Sequence, residues 1–396
     1  MADSIGKQVW GGIALAILVI AALLPGCAGA PEEEAVDIVG ALSSDRDTAC
    51  YEQAREPGII RFPEDHGPHE KFMTEWWYYT GNLKTREGRH FGYQLTFFRQ
   101  ALACDTPEGD SQWRTGQLYF AHFAVTDTLN QRFYPAQRMN RGSVGIAGAK
   151  AGPFRVWIDD WSAADAPAPG QRTILLKAAE DVAAVPGKTS GATIAIDLAL
   201  TPEKPPILQG DRGLSKKGPG PSDASHYYSL PGMPTQGILN VDGESHEVSG
   251  HTWFDHEWST SALGEEVVGW DWFALRLEMG PRAGTDLMVC HVRRADGSPN
   301  GYGFGSISHP DGRYEILDES GFSIRVDRHW TSPASGSRYP AGWEIRLPEY
   351  AIDISISPVM DGQEHTHMFS YYEGAIMVRS SDGNTIGSGY VEMTGY

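Results

Sequence analysis

Long amphipathic periodicity is scarce in this chain of 396 residues. Apolar residues seldom hold a helical spacing, so the sequence does not read as a stack of helices. Positive charge is thin as well. The chain has 32 Lys and Arg against 51 Asp and Glu, for a formal net charge of −19. An acidic chain without a basic stripe argues against nucleic-acid partners. There are four cysteines, and none has the spacing of a structural zinc motif. No Gly-x-Ser-x-Gly elbow occurs, which leaves a serine hydrolase without its nucleophile turn. The glycine-rich "GFGSIS" and "GSGY" precede no helical pattern, so no phosphate cradle follows. His69-Glu70 fails as a zincin motif, because Met73 stands where the second His belongs. His365 and His367 could share a strand face, and His251, Asp255, His256 and Glu257 offer further ligands. No three-histidine or two-histidine-carboxylate set closes among them, so neither metal nor cofactor is expected.

What the chain has in quantity is aromatic and turn-forming. It carries 12 Trp, 16 Tyr and 46 Gly. Short alternating or wholly apolar runs, such as "EWWYYTGNL", "FGYQLTFFRQA" and "GWDWFALRLEM", are separated by Gly, Pro, Asn and Asp. That is a strand pattern. Asp-Gly pairs in "LNVDGESHEV" and "RRADGSP" mark hairpins. The expected fold is all-β, as two antiparallel barrel or sandwich domains.

The N-terminus reads as a leader. "GGIALAILVIAALLPGC" has the apolar core of a signal peptide and ends on Cys27 after a small residue. Residues 1–27 are assigned to the leader, with Cys27 the candidate for lipidation, and 28–56 to a tether. This places the protein in the cell envelope, periplasmic or on the outer side, held by a lipid anchor. The anchor is needed because an acidic body is repelled by anionic headgroups. In an oxidising compartment Cys50 and Cys104 are candidates for a bridge, and Cys290, in an apolar run, for a buried thiol. The body divides into a first domain, 57–201, a Pro-, Gly- and Lys-rich linker, 202–224, and a second domain, 225–396.

The stretch "GHTWFDHEWST" holds the sharpest chemical question. Alternation along a strand puts His251, Trp253, Asp255 and Glu257 on one face and Thr252, Phe254, His256 and Trp258 on the other. Burial against indole would raise the pKa of Asp255 and let it donate a proton near neutrality. The competing reading is an ionised brace that accepts hydrogen bonds. In "SHYYSLPG", His226 and Tyr228 share one face and Tyr227 takes the other. With Trp270 and Trp272 these residues would line an aromatic pocket for an extended apolar molecule.

Several longer motifs, "FPEDHGPHEKFMTEWWYYTGNL", "ASHYYSLPGM", "VSGHTWFDHEWSTS", "YYEGAI" and "GSGYVEMTGY", resemble the AttH-like and carotenoid 1,2-hydratase superfamily from about Pro57 to Tyr396. The resemblance implies two lipocalin-like β domains. It also implies cofactor-free addition of water to an isoprenoid double bond. Asp255 would be the proton donor, Trp253 and Tyr228 the cation-stabilising wall, and His226 the group that orients the acid or the water. The aromatic pair departs from the hydratases, which have Tyr at the place of Trp253 and Trp at the place of Tyr228. The AttH-like branch fits better. For that branch the alternative is a non-catalytic lipid carrier or an accessory component of an ABC-type transporter.

Overall fold

The computed structural model describes residues 48–396 apart from 105–108, 110, 168–169, 183–190, 262, 264–265 and 368–369. The leader, Cys27 and residues 28–47 of the tether lie outside the described residues. The first sheet holds β1 (Thr74–Lys84), β2 (His90–Ala101), β3 (Gln117–Asp127), β4 (Arg132–Arg141), β5 (Ala147–Lys150), β6 (Arg155–Ile158) and β7 (Trp161–Asp165). It continues through β8 (Ile174–Val182), β9 (Ala192–Leu200), β10 (Ile207–Leu208), β11 (Leu214–Lys216), β12 (Ala224–Val241) and β13 (Glu244–Ser259). The second sheet holds β14 (Gly269–Leu277), β15 (Asp286–Arg293), β16 (Phe304–Ser308), β17 (Tyr314–Asp318) and β18 (Ser323–Thr331). It is completed by β19 (Arg338–Leu347), β20 (Ile352–Pro358), β21 (Glu364–Thr366), β22 (Ser370–Ser380) and β23 (Thr385–Met393). All pairings named for these strands are antiparallel, as the alternating sequence pattern requires. The first sheet is a nearly closed barrel and the second a half-barrel. The all-β expectation holds, with two antiparallel sheets.

The division between the sheets falls later in the chain than the sequence pattern suggests. The β12–β13 hairpin, read from sequence as the start of the second domain, pairs into the first sheet. There β13 lies beside β1 and β12 beside β9. The segment read as a linker is also built in, since β10 and β11 pair with β12. Lys204 Nζ, at the start of that segment, reaches Asp286 of the second sheet at 2.6 Å. Pro and Gly mark its turns without making it free.

Alternation sorts the apolar residues into three cores. Trp77, Tyr79, Phe254 and Trp258 fill the barrel, and Phe273, Leu275, Trp343 and Val391 fill the half-barrel. A third cluster, including Tyr78, Tyr227, Trp253, Trp272 and Tyr390, joins the outer faces of the two sheets. The sheets come close there. A Cβ on Gly92 would stand 2.5 Å from Ala375 Cβ, so only glycine permits the approach. The Cys50–Cys104 bridge is formed, and Cys290 is a free, buried thiol.

Candidate functional site

β13 supplies the centre of the site because it is shared between environments. Its register on β12 begins at the two-residue turn Asp242-Gly243, both with positive φ (54° and 81°). This is the hairpin turn the Asp-Gly pair forecast. Counted back from that turn without interruption, Tyr228 would stand opposite Glu257 and share the face of Asp255. The pairing is interrupted. A bulge between Leu230 and Met233, where Pro231 and Gly232 stand, shifts the register by one residue. Such a slip exchanges the two faces of a strand. Ser229 therefore opposes Asp255, Tyr227 opposes Glu257, Tyr228 opposes His256 and His226 opposes Trp258.

The grouping of Asp255 with His226 and Tyr228 is corrected accordingly. His226 and Tyr228 point into the barrel core, while Trp253, Asp255 and Glu257 point out of it toward the second sheet. Alternation within each strand was read correctly. The difference is in the cross-strand register. Pro-Gly inside a strand was the available signal, since it commonly marks a bulge.

The outward face borders a cavity of about 750 Å³ counted to its open mouth. Trp76, Tyr78 and Phe98 from the first sheet and Trp270, Trp272 and Phe304 from the second form aromatic walls. Four carboxyl groups also line it: Asp255, Glu257, Glu373 and Glu392. Lys217 lines it too, pairing with Glu257 at 2.8 Å and lying over the Phe304 ring at 4.4 Å. Glu257 also accepts from the Ser225 hydroxyl.

Asp255 is held by three donors. Trp253 Nε1 donates to Oδ1 at 2.8 Å, Ser229 Oγ to Oδ1 at 2.5 Å, and Tyr227 Oη to Oδ2 at 2.7 Å. Trp272 Nε1 donates in turn to Tyr227 at 3.3 Å, and Gln209 Nε2 to Ser229 at 2.9 Å. Burial raises the Asp255 pKa and the three donors lower it, leaving it at about 7. A proton on Asp255 is thus exchangeable near neutral pH. Glu392, half-buried beside Asp255 and Glu257, is pushed up to about 8. Burial and the neighbouring Glu392 hold Glu373 well above the usual carboxylate range. Neither glutamate was singled out from sequence. Their signal was an acid inside the otherwise apolar runs "YYEGAI" and "GYVEMTG".

The inward face of β13 carries a different assembly. His256 Nε2 and His69 Nδ1 meet Glu75 Oε1 at 2.9 and 2.7 Å, and Arg99 Nε donates to Glu75 Oε2 at 2.8 Å. His69, Glu75 and His256 are the two-histidine-carboxylate set that sequence spacing did not reveal, because Glu75 comes from β1 and His256 from β13. Arg99 already neutralises the carboxylate of this set, and a chain of hydrogen bonds ties the set to its surroundings. Arg172, an obligate donor, gives a hydrogen to His66 Nε2 at 2.8 Å. Neutral His66 must then donate from Nδ1 to Tyr228 Oη, 2.6 Å away. Tyr228 passes its own hydrogen to His256 Nδ1 at 3.3 Å, so His256 Nε2 carries the hydrogen it directs at Glu75. His69 donates from both nitrogens, to Glu75 and to Asp65 at 3.1 Å. Burial opposes its charge, but the two carboxylates outweigh burial and raise its pKa.

The remaining sequence candidates lie elsewhere. His226 Nδ1 is buried without a hydrogen-bond partner among the described residues, and its ring is edge-on to Phe72. His365 is stacked between Tyr371 and His122, and its ring stands 6.4 Å from that of His367.

The model of the AttH-like family matches residues 53–396. A crystal structure of a Nitrosomonas europaea protein assigned to AttH is similar at 32% identity with a TM-score of 0.72, over 86% of this chain and 99% of that one. Kievitone hydratase from Nectria haematococca shares the fold at 15% identity and a TM-score of 0.61, over 87% of this chain and 97% of that one. No curated protein matches the sequence. The chain belongs to the AttH-like family.

Proposed function

We propose that the inter-sheet cavity binds an apolar isoprenoid or other lipid ligand and that Asp255 is the acid of a cofactor-free hydro-lyase. The observation that carries this is a carboxyl poised at about 7 on the wall of an aromatic cavity. Protonating an alkene requires an acid that keeps its proton near neutrality. In the step proposed, Asp255 gives its proton to one alkene carbon and becomes a carboxylate. The cation on the other carbon is stabilised by aromatic faces, here those of Trp76, Trp270 and Trp272. Water adds to that carbon, and its excess proton returns to Asp255. The bond balance is one water added across one double bond, and nothing is oxidised. The same fold in a hydratase from Nectria haematococca supports the view that the scaffold accommodates such chemistry. The test is incubation with a panel of isoprenoid alkenes, read as a mass gain of one water. Activity that persists in Asp255→Asn would remove the acid role.

A second reading has its own observation. Three donors on Asp255 are what an ionised brace would have, and a non-catalytic carrier or an accessory of an ABC-type transporter would need only the brace. Lipid that co-purifies and is never converted would favour it. In either case we infer an envelope location with the chain anchored through Cys27. Radiolabelled palmitate should label the wild type and not Cys27→Ser.

A further inference from the structure

Water addition through Asp255 alone leaves a buried ion pair on the cavity wall without a task. Glu257 stands two residues after Asp255 on the same face of β13, and both line the cavity. Two steps of an extended strand set their backbone positions about 7 Å apart. Lys217 Nζ reaches Glu257 Oε1 at 2.8 Å, and the Ser225 hydroxyl donates to the same oxygen. Oε2 accepts no hydrogen bond among the described residues. Lys217 and Glu257 are both buried, and Lys217 lies over the Phe304 and Tyr227 rings at 4.4 and 5.1 Å.

The other cavity carboxyls have no cation among the described residues. Asp255 is held by hydroxyl and indole donors, Glu373 by the Tyr78 hydroxyl, and Glu392 by Trp270. Glu257 is thus the carboxyl that an ion pair holds in its charged form, with one oxygen left open on the wall. Two carboxyl groups set a water's width apart, one protonated and one ionised, make an acid–base pair. Hydration needs such a pair. Protonation by Asp255 creates a cation with two fates. It can lose a proton to the Asp255 carboxylate, which restores the alkene, or water can capture it. Capture is favoured when a water is already held with its oxygen toward the cation and an O–H toward an acceptor. Both oxygens of Asp255 are engaged by donors, whereas Glu257 Oε2 is open.

We propose that Glu257 is the base of the hydration, holding the adding water through Oε2 and taking its proton, and that Lys217 is the positioning residue that keeps Glu257 ionised. The carbon–oxygen bond forms as the O–H bond of the water breaks. The proton goes to Glu257 and passes on to the Asp255 carboxylate, so both groups return to their starting states and nothing is oxidised. The inference rests on Asp255 being the acid.

The experiment incubates the chain with the isoprenoid alkenes geranylacetone and squalene in D2O, with mass spectrometry of both the alcohol and the recovered alkene. The wild-type chain should give deuterated alcohol and little deuterium in the recovered alkene. Glu257→Gln should lower the alcohol about 10²-fold, the scale of one positioned base. Deuterium should now enter its recovered alkene, because Asp255 still protonates and the uncaptured cation collapses back. Lys217→Met should behave in the same way, and Lys217→Arg, which keeps the pair, should retain the alcohol. Asp255→Asn should abolish alcohol and exchange together. Either single charge-removing variant strands a buried charge, so Glu257→Gln/Lys217→Met serves as the folded control. It should melt as the wild-type chain does and show exchange without alcohol. Undiminished alcohol from that double variant, or loss of exchange along with the alcohol, would overturn the proposal and leave the acid role of Asp255 standing. Neither alcohol nor exchange from the wild-type chain would overturn the acid role and this inference with it.

Discussion

Asp255 and His256 are neighbours in sequence and belong to opposite faces of β13. On the inner face both ring nitrogens of His256 are engaged, Nε2 donating to Glu75 and Nδ1 accepting from Tyr228, and Arg99 neutralises the carboxylate at the end of the chain. On the outer face Asp255 has its donors but no cation, and beyond it lies a cavity. Similar residue types thus reach different ends. Where charge is balanced, a buried polar group becomes structure. Where it is hydrogen-bonded yet uncompensated, its protonation equilibrium moves to neutral pH and becomes available for chemistry.

Substitutions on the two faces should therefore separate turnover from stability. The largest effect is expected for Asp255→Asn. Water addition should fall about 10²–10⁴-fold, the usual contribution of a positioned acid. Denaturant unfolding should show no loss of stability, because a buried carboxylate has been removed. The sign follows from the raised pKa. Ionising Asp255 costs the folded state stability as pH rises from the ordinary aspartate value of 3.8 toward about 7. Above that range the asparagine variant should be the more stable chain. Next in size is Glu75→Ala on the inner face. It strands the buried guanidinium of Arg99, and about 3–5 kcal/mol of stability should be lost in urea unfolding. A loss below about 1 kcal/mol would mean that the network is not the brace described here.

Adjacent tyrosines give a finer contrast. Tyr227→Phe removes a donor that favours the Asp255 carboxylate, so the pKa should rise by about one unit. Turnover in the wild-type chain should decline as pH rises through about 7, and this variant should carry the decline to higher pH. Tyr228→Phe should leave that pH limb where it is and cost about 1–3 kcal/mol of stability, through its lost hydrogen bonds to His66 and His256. If Tyr228→Phe moved the limb and Tyr227→Phe did not, the assignment of faces would be reversed.

Much of this was legible in the sequence, for reasons that are local. The strands, the Asp242-Gly243 turn and the common face of Trp253, Asp255 and Glu257 follow from period-two alternation and turn chemistry, which need no knowledge of the partner strand. The bridge between Cys50 and Cys104 followed from context and was found. What needed the fold was non-local. One bulge at Pro231-Gly232 decides whether Tyr227 or Tyr228 meets Asp255. Glu373 and Glu392 are more than a hundred positions from Asp255 and reach its cavity only because the second sheet packs its outer face on the first. The pairing of Glu75 with His256 likewise waits on β1 lying beside β13.

The central claim is that Asp255 keeps a proton in a ligand cavity near neutral pH. Infrared difference spectra between the wild-type chain and Asp255→Asn, recorded across a pH titration, isolate the carbonyl stretch of that one protonated carboxyl. The band should be present at acidic pH and disappear with a midpoint near 7. A midpoint at or below the ordinary aspartate value of 3.8 would make Asp255 an ionised brace at neutral pH and contradict the account.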